Sequence, residues 1–382
     1  MNKEKVAVMF GGRSAEHEIS VITALQAIQA IDPLRYEAIP VYLSLNGKWY
    51  TGDALLNRQF YKNLPHTLSQ AEEVSLLPDP AVGGFTRLPN QQKIPVDLCL
   101  LAFHGQYGED GCVQGLLELA GLPYTGSGVL SSALTMNKYQ CKAVLQAHEI
   151  SVLPSVLVTK TEAIDSLESA RNKILKSLRY PLFIKPNHLG SSVGISMAKD
   201  ERTLNAALAK VFQYDDTALV EPHIEQLLEL NVAVLEGEPP IASVIEIPIA
   251  SKEALSYEDK YMRGGSKTTG GQSSGMAGLT RIIDPVDIDP TLKDQLKSEA
   301  IKAFNLLECS GVCRLDFIYD LKEETLYFNE LNPIPGSLAY YLWDKAEPPL
   351  LYTELLDRLL QSAKKRKAMH YSLRKNLGFH AL

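Results

Sequence analysis

The chain has 382 residues, of which 45% are hydrophobic and 22% charged, and its formal net charge is −7. This length exceeds what one hydrophobic core usually covers, so we expect two or three domains. The acidic balance argues against a nucleic-acid partner, and no stretch is apolar for long enough to span a membrane. The five cysteines form no CxxC pair, which predicts free thiols in a reducing cytoplasm.

The chain opens with a pattern typical of a doubly wound α/β domain. Residues 5–10 form a β-rich run stopped by two glycines, and the segment ISVITALQAIQAI that follows has apolar residues at helical spacing. Strand, glycine turn and helix in this order predict a Rossmann-like start. The turn lacks a full GxGxxG, so a dinucleotide is not implied. Glu16 directly precedes the helix, and both a helix cap and a ligand contact are open interpretations.

A second candidate site follows the next apolar run. Residues 60–95 are polar, proline-rich and weakly periodic, and we expect a surface excursion there. Residues 96–103 are continuously apolar, which predicts a central parallel strand. That strand ends in His104 and a glycine-rich loop that carries Glu109. Ligands gather at the carboxyl ends of strands in open α/β sheets, so this loop is a candidate site.

The middle of the chain carries a pattern suited to phosphate. Residues 133–148 predict one helix, with Lys138 and Lys142 one turn apart. Further on, Lys185 ends an apolar strand, and the small residues 190–194 follow it. Backbone N–H groups of such a loop form an anion nest, and the lysine adds positive charge. The lysine precedes the glycines and no helix follows, so this is not a Walker A loop.

The segment GVCRLDFIYD, a charged turn and LYFNELNPIPG predict an antiparallel hairpin. Arg314 and Asp316 are two residues apart on the first strand, and Glu330 and Asn332 are two apart on the second, so each pair shares one strand face. If both faces coincide, two carboxylates and an amide converge, a donor set that suits Mg²⁺. A polar sheet face with solvated ion pairs is the alternative.

Residues 250–280 form a long glycine- and serine-rich stretch that contains YEDKY. Loops of this length inside a compact domain are uncommon and are usually functional or disordered. Glycine hinges would let it act as a lid, and a plain surface loop is the alternative.

Taken in order, seven motifs resemble those of the D-alanine–D-alanine ligases, members of the ATP-grasp superfamily. They are GGRSAEHEIS, HGQYGEDGCVQG, LPYTGSGVLSSALTMNK, IKPNHLGSSVG, YEDKY, CRLDF and NELNPIPG. The resemblance covers nearly the whole chain and implies a mixed α/β, three-domain ATP-grasp fold. We predict a Rossmann-like N-terminal domain at 1–130, a central ATP-grasp subdomain at 131–228 and a C-terminal subdomain at 229–382, with the lid at 250–280.

The resemblance also implies the chemistry. One D-alanine carboxylate attacks the γ-phosphate of ATP to give an acyl phosphate, and the amine of a second D-alanine then displaces phosphate, which makes D-Ala-D-Ala for peptidoglycan. Two Mg²⁺ ions, replaceable by Mn²⁺, and a homodimer in the cytoplasm are implied by the same analogy, with no membrane or nucleic-acid partner.

Residue roles carry over position by position. The implied catalytic residues are Glu16, Ser191, Tyr261, Arg314 and Gly336. The implied ATP contacts are Lys138, Lys185, Ser192, Glu221, His223, Ile224, Glu229 and Lys260. The implied amino-acid contacts are Glu16, His104, Ser337, Tyr341 and Leu342, and the implied metal ligands are Asp316, Glu330 and Asn332.

The sequence departs from the family pattern most clearly in NPIPGSLAYYLW. Tyr341 stands where a serine usually helps to hold the carboxylate of the second substrate, and Ser337 is a candidate to take over part of that role. This departure keeps a second hypothesis open, a ligase of the same fold with D-serine, D-lactate or another amino acid as acceptor. Tyr261 favours an amine acceptor. A third hypothesis, a non-catalytic relative, predicts a lost metal ligand or phosphate lysine, and the sequence keeps them all.

Overall fold

The computed structural model describes residues 3–190, 193–249 and 281–372. Within these ranges, no helix combines the length and the apolar character that crossing a bilayer requires. Each of the three sheets lies against its own cluster of buried apolar side chains.

The first sheet has seven strands, in the order β6-β5-β4-β3-β2-β1-β7. The strands β2, β1 and β7 are parallel, and the others pair antiparallel. The predicted strand, glycine turn and helix at the start of the chain are confirmed. The bounds are β1 Glu4–Gly11, α1 His17–Ala30, β2 Tyr36–Leu43, β3 Trp49–Thr51, β4 Glu72–Leu76, β5 Gly84–Arg87, β6 Lys93–Pro95, β7 Leu98–Leu101 and α2 Cys112–Leu119, with short 3₁₀ helices at Asp53–Leu56, Arg58–Asn63 and His66–Gln70.

Two predictions for this part of the chain are wrong. Residues 60–95 contribute β4, β5 and β6 to the sheet, and these strands are too short to show a clear alternation of polar and apolar residues. The apolar run at 96–103 forms β7, which lies at one end of the described strand order instead of at its centre. β7 is nonetheless buried, because Tyr124 bridges to Cys99 and the last helix of the described chain packs against it.

The second sheet has four antiparallel strands in the order β10-β9-β11-β8. The predicted strand that ends at Lys185 and the return strand after residue 194 are confirmed as β9 and β10. The bounds are β8 Val156–Thr159, α5 Lys160–Asp165, α6 Leu167–Ser177, β9 Leu182–Pro186, β10 Ser196–Ala198, α7 Glu201–Val211 and β11 Thr217–Pro222.

The helix predicted at 133–148 is divided into two. α3 spans Val129–Met136 and α4 spans Lys138–Ala147, with Asn137 between them. The Asn137 side chain accepts a hydrogen bond from the Gln140 backbone N–H at 3.0 Å, which is the usual way for an asparagine to start a new helix. Lys138 is therefore the first residue of α4.

The third sheet has five antiparallel strands in the order β14-β13-β12-β15-β16. The predicted hairpin is confirmed as β15 and β16. The bounds are β12 Leu227–Leu235, β13 Ile241–Pro248, β14 Arg281–Ile283, α8 Pro290–Leu306, β15 Val312–Asp320 and β16 Thr325–Asn332, followed by a 3₁₀ turn at Gly336–Ala339, α9 Tyr340–Trp343 and α10 Tyr352–Ser372.

The last helix returns to the beginning of the chain. Leu355, Leu356 and Leu359 of α10 are buried in the apolar cluster of the first sheet. Lys364 of the same helix forms an ion pair with Glu4 of β1. The domain borders predicted near residues 130 and 228 stay predictions.

We call each sheet, with the helices that pack on it, a unit, and number the units as the sheets. Gly311 marks a close approach between the first and third units. Its φ is +71°, and a Cβ there would lie 2.8 Å from the Cα of Gly126. We expect Gly311→Ala to lower the free energy of unfolding by more than ~2 kcal/mol, because a left-handed conformation and a backbone clash add. Gly47→Ala is the control: its φ is +87°, but the nearest atom is 3.5 Å away on a flexible arginine. Urea denaturation midpoints measure both, and equal losses would contradict the close approach.

Candidate active site

The hairpin β15–β16 brings four predicted residues together. Asp316 pairs across the strands with Glu330, and Arg314 pairs with Asn332. Arg314 Nε and Nη2 donate to Asp316 Oδ1 and Oδ2 at 2.7 and 2.8 Å, and Asn332 Nδ2 donates to Asp316 Oδ2 at 3.1 Å. Burial opposes the charge on Arg314, but Asp316 outweighs burial and holds the pKa of Arg314 well above its ordinary value. The guanidinium is therefore permanently charged.

The donor set at this hairpin fits a divalent metal ion. Asp316 and Glu330 supply carboxylates on adjacent strands, and Asn332 supplies an amide oxygen. Each oxygen of an ionised carboxylate has two lone pairs, so the bonds from Arg314 do not exhaust Asp316 as a ligand. Hard oxygen donors of this kind, completed by phosphate oxygens, suit Mg²⁺.

Two lysines share one buried carboxylate in the second sheet. Lys185 Nζ lies 2.8 Å from Glu221 Oε2, and Lys142 of α4 is ion-paired with Glu221 Oε1. Burial alone would raise the pKa of Glu221, but the two lysines overcome it and lower that pKa. Burial lowers the pKa of Lys142 to about 8, against the opposing effect of Glu221. The carboxylate of Glu221 is thus engaged within the protein.

A β-bulge joins this lysine pair to the hairpin. The register of β15 and β16 shifts between Asp316 and Phe317, which leaves Asn329 as an extra residue. Asn329 Oδ1 accepts a hydrogen bond from Lys185 Nζ at 2.9 Å. Lys138 Nζ lies 3.3 Å from Glu330 Oε2 and donates to the Leu189 carbonyl at 2.6 Å. Two cations therefore border the carboxylates between the second and third sheets.

Glu16 meets this cleft from the first unit. Among the described residues, its side chain makes no capping hydrogen bond to α1, and its predicted ligand contact stays a prediction. A Cβ on Gly190 would lie 3.3 Å from Glu16 Oε2, so the carboxylate lies against the start of the loop at 190–194. Glu16 thus approaches the segment that continues into Ser191.

The loop after β7 is tied to the end of β16 by Glu109. Its Oε2 accepts from the Gly105 N–H at 2.6 Å, and its Oε1 accepts from the Ile334 N–H at 3.1 Å. Burial, together with the nearby charge of Glu16, raises the pKa of Glu109 well above its ordinary value. Glu109 therefore fixes the glycine-rich loop relative to the end of the hairpin β15–β16.

His104 is buried beside α1. Its Nε2 lies 2.8 Å from the Thr23 hydroxyl, and burial lowers its pKa to about 4. The Ser337 N–H donates to the same Thr23 oxygen at 3.0 Å, and the Ser337 hydroxyl donates to Gln26 Oε1 at 2.7 Å. In this arrangement the Ser337 side chain is bonded to α1, and its predicted substrate contact stays a prediction.

The segment after Gly336 has an unusual backbone. Ser337, Leu338 and Ala339 have φ values of +53°, +52° and +52°, in the left-handed region that costs a non-glycine residue roughly 1–2 kcal/mol. The turn leads into α9, where Leu342 is buried and the Tyr341 hydroxyl donates to Glu246 Oε2 at 3.1 Å. Burial and Glu246 raise the pKa of Tyr341 to about 12, so the phenol is protonated at neutral pH.

The remaining predicted residues follow β11, lie on β12 or fall outside the described chain. His223 and Ile224 belong to the link between β11 and β12, and Glu229 is exposed on β12. The roles of these residues stay predictions. The lid segment and four predicted site residues lie outside the described residues: Ser191, Ser192, Lys260 and Tyr261.

Sequence reasoning missed several residues of the site. Lys142 was visible only as a lysine one turn after Lys138. Asn231 pairs with Asp316 on one side and with Glu246 on the other, so a polar row runs across the third sheet. The available signal was a polar residue between apolar neighbours, Asn231 in LELNVAVL and Glu246 in SVIEIP.

A cavity of about 670 Å³ lies beside the cleft, between the loop after His104 and the second unit. His188, Asp215 and Asp216 line it, and their ligand atoms are close enough for a metal ion. His188 Nδ1 is, however, 3.0 Å from Asp215 Oδ1 and hydrogen-bonded to it. The described lining does not include Arg314 or the hairpin carboxylates, so the chemistry is assigned to the cleft and not to this cavity.

The chain is similar to known proteins over nearly its whole length. Residues 5–127 match the family model "D-ala D-ala ligase N-terminus", and residues 144–361 match "D-ala D-ala ligase C-terminus". The D-alanine--D-alanine ligase of Thermosipho africanus is 36% identical over 376 residues, which cover 97% of each chain.

Two solved structures share the architecture. The D-alanine-D-alanine ligase from Coxiella burnetii has a TM-score of 0.79 at 29% identity and covers 97% of each chain. The VanG D-Ala:D-Ser ligase from Enterococcus faecalis has a TM-score of 0.77 at 29% identity and covers 95% of this chain and 100% of that one. Fold and cleft together define a three-domain ATP-grasp ligase. The chain belongs to the D-alanine–D-alanine ligase family.

The carboxylate of Glu221, shared by two lysines, gives a prediction about stability. Lys142→Met leaves Glu221 buried with one cation instead of two, and we expect a loss of about 3 kcal/mol in unfolding free energy. Lys173→Met removes an exposed ion pair with Glu162 and should cost less than ~1 kcal/mol. Urea denaturation of Lys142→Met, Glu221→Gln and the double variant measures the coupling. Strictly additive losses would show that the two groups do not interact.

The buried His104 gives a prediction about pH dependence. The unfolded chain binds a proton at His104 below about pH 6.5, whereas the folded chain does so only near pH 4. Stability should therefore fall as the pH drops from 6.5 towards 4, and His104→Gln should fall less steeply over this window. Unfolding midpoints at several pH values test this, with the exposed His66→Gln as the control. Parallel profiles for wild type and His104→Gln would refute the assignment.

Proposed function

We propose that this protein is an ATP- and Mg²⁺-dependent D-alanine–D-alanine ligase that makes D-Ala-D-Ala for peptidoglycan synthesis in the cytoplasm. One observation carries the proposal: Lys138 contacts Glu330 and Lys185 contacts the adjacent Asn329, beside the bidentate pair of Arg314 and Asp316. This cleft combines phosphate-binding cations, metal-binding carboxylates and a fixed guanidinium. Family membership over nearly the full length supports the same assignment.

The first step is phosphoryl transfer. The carboxylate of one D-alanine attacks the γ-phosphorus of ATP, an acyl phosphate forms and ADP leaves. Lys138 and Lys185 hold the phosphates, so the protein contributes mainly positioning and charge compensation. We propose two Mg²⁺ ions, replaceable by Mn²⁺, at Asp316, Glu330 and Asn332, where the metal would neutralise phosphate charge.

The second step is acyl transfer. The amine of the second D-alanine attacks the carbonyl of the acyl phosphate, phosphate leaves, and one proton is released from the amine. The Arg314 guanidinium and the Gly336 backbone stabilise the oxyanion of the tetrahedral intermediate. Closing the site against water protects the acyl phosphate, the role we propose for residues 250–280.

The first D-alanine is proposed to lie between the first unit and the loop at 190–194. Glu16 reaches this place, neutral His104 lines it, and Ser191 and Tyr261 complete a hydrogen-bonded set. Leu342 is proposed to contact the second D-alanine. The proposed ATP contacts beyond the two lysines are Ser192, Glu221, His223, Ile224, Glu229 and Lys260. A homodimer is proposed on family analogy.

The direct test is phosphate release from purified protein with ATP, Mg²⁺ and D-alanine, with the product identified by mass. Release together with a dipeptide of two alanines establishes the function. The second candidate, an altered acceptor, is favoured by Tyr341 in the place of a smaller residue. It predicts release only when D-serine, D-lactate or another amino acid accompanies D-alanine.

Glu330 tests the metal site separately. We expect Glu330→Gln to lower turnover at least ~100-fold, because it removes a charged ligand and the partner of Lys138. Glu323→Gln, an exposed change in the turn of the same hairpin, should retain activity. Phosphate release at several Mg²⁺ concentrations measures the effect, and near-normal turnover of Glu330→Gln at low Mg²⁺ would place the metal elsewhere.

A further inference from the structure

A buried charged cluster continues the polar row of the third sheet away from the phosphate lysines. From Asp316 the row passes through Asn231 to Glu246 on β13. Beyond it, Arg281 begins β14 and pairs in register with Pro248. Lys138 contacts Glu330 at the opposite end of the same row, and Lys185 contacts Asn329 next to it. The two ends of the row therefore lie on opposite sides of Asp316.

At the Glu246 end of the row, the side chains of Arg281, Glu246 and Tyr341 contact one another. Arg281 Nη1 lies 2.9 Å from Glu246 Oε1, and the Arg281 Cζ lies 4.2 Å from the centre of the Tyr341 ring. The Tyr341 hydroxyl donates to Glu246 Oε2 at 3.1 Å, which completes the cluster. The side chains of Arg281 and Glu246 are 7% and 5% exposed, so water does little to loosen the arrangement.

The energetics of this cluster favour a role in positioning over a role in stability. A buried ion pair loses much of its attraction to desolvation, and an apolar replacement is often as stable. The pair orients Tyr341. The guanidinium lies over the face of the ring and the carboxylate accepts from the hydroxyl, so both the ring plane and the direction of the hydroxyl are fixed. Tyr341 also follows the left-handed turn, whose strained backbone persists only where the surroundings hold it in place.

The ring that is fixed in this way borders the reacting centre. The charge of Arg314 acts on the Tyr341 hydroxyl, so Tyr341 lies close to Arg314, the residue that pairs with Asp316. The phosphates of ATP belong at the Glu330 end, where the lysines lie, and the first unit supplies Glu16 and His104 on its own side. The space left for the incoming amine is the side of Arg314 that Tyr341 borders.

We infer that Tyr341, held by Glu246 and Arg281, is a specificity-determining residue that closes the acceptor side of the site and limits the acceptor to a small amino acid. This inference rests on the proposed ligase function. Arg281 and Glu246 act through Tyr341 and are positioning residues. A fixed aromatic wall excludes side chains larger than a methyl group, and one surplus methylene against such a wall changes kcat/KM by roughly 10–200-fold.

The test compares acceptors with D-alanine as the common donor. D-2-aminobutyrate, which is one methylene larger than D-alanine, is the probe, and mixed dipeptides are quantified by mass. The wild type should prefer D-alanine by at least ~10-fold in kcat/KM. Tyr341→Ser should bring this preference to within about threefold, whereas Tyr341→Phe, which keeps the ring, should retain it. Tyr327→Ser, on the same hairpin but outside the row, is the control.

Arg281→Met tests positioning. It keeps an unbranched apolar stem and removes the charged guanidinium over the ring, so the ring of Tyr341 loses its orientation. We expect the KM for the acceptor D-alanine to rise by at least ~10-fold, while the KM for the donor D-alanine changes less than threefold. A parallel rise of both constants would show a merely structural role and would overturn this part of the inference.

The remaining outcomes separate the two levels of the proposal. If the wild type makes D-Ala-D-Ala but Tyr341→Ser keeps the wild-type preference, the acceptor wall is wrong and the ligase function stands. The inference that the ring of Tyr341 limits the acceptor is also wrong if Tyr341→Phe relaxes the preference as much as Tyr341→Ser. If the wild type forms no product from D-alanine with any acceptor, the ligase function itself fails, and the inference fails with it.

Discussion

The active cleft depends on one buried carboxylate that two lysines share. Glu221 holds Lys185 at the end of its strand and Lys142 on α4, and α4 begins with Lys138. This one interaction therefore sets the relative position of both cations assigned to phosphate. Lys142, Lys185 and Glu221 together carry one net positive charge, since the two lysines overcome the effect of burial and keep Glu221 ionised. We propose that a cleft with this charge attracts the phosphates of ATP before a metal ion binds at the hairpin β15–β16.

Each substrate is assigned to a junction between units, and the hairpin β15–β16 lies at the centre. The bulge at Asn329 connects it to the second sheet, Glu109 connects its end to the first unit, and Tyr341 covers the side that faces β13. Since every junction includes a charged or strongly hydrogen-bonded group, a shift of one unit changes the geometry of the others. Groups that must align to within a fraction of an ångström are therefore held by the interfaces themselves and not by a single rigid element.

The sequence predicted the hairpin and the meeting of Arg314, Asp316, Glu330 and Asn332, because a period of two along a strand determines which side chains share a face. It predicted neither β4–β6, whose few residues show no period, nor the position of β7 at the end of the sheet. The place of Glu246 and Asn231 in the site was not predicted, for a different reason. Their place in the polar row depends on which strands are neighbours and in what register, and a single sequence does not contain that information. The role of Lys142 was not predicted, because its partner Glu221 is distant in sequence.

The return of α10 to the first sheet has a consequence for the order in which the protein is made. The apolar cluster of that sheet includes Leu355, Leu356 and Leu359, from near the end of the described chain, together with residues of β1. During synthesis the first unit therefore leaves the ribosome well before the helix that completes its core. The apolar cluster of the second unit is built wholly from residues 158–220. The second unit is therefore able to acquire its native packing before α10 completes the core of the first unit. Assembly of the active cleft is thus one of the last events in the folding of the nascent chain.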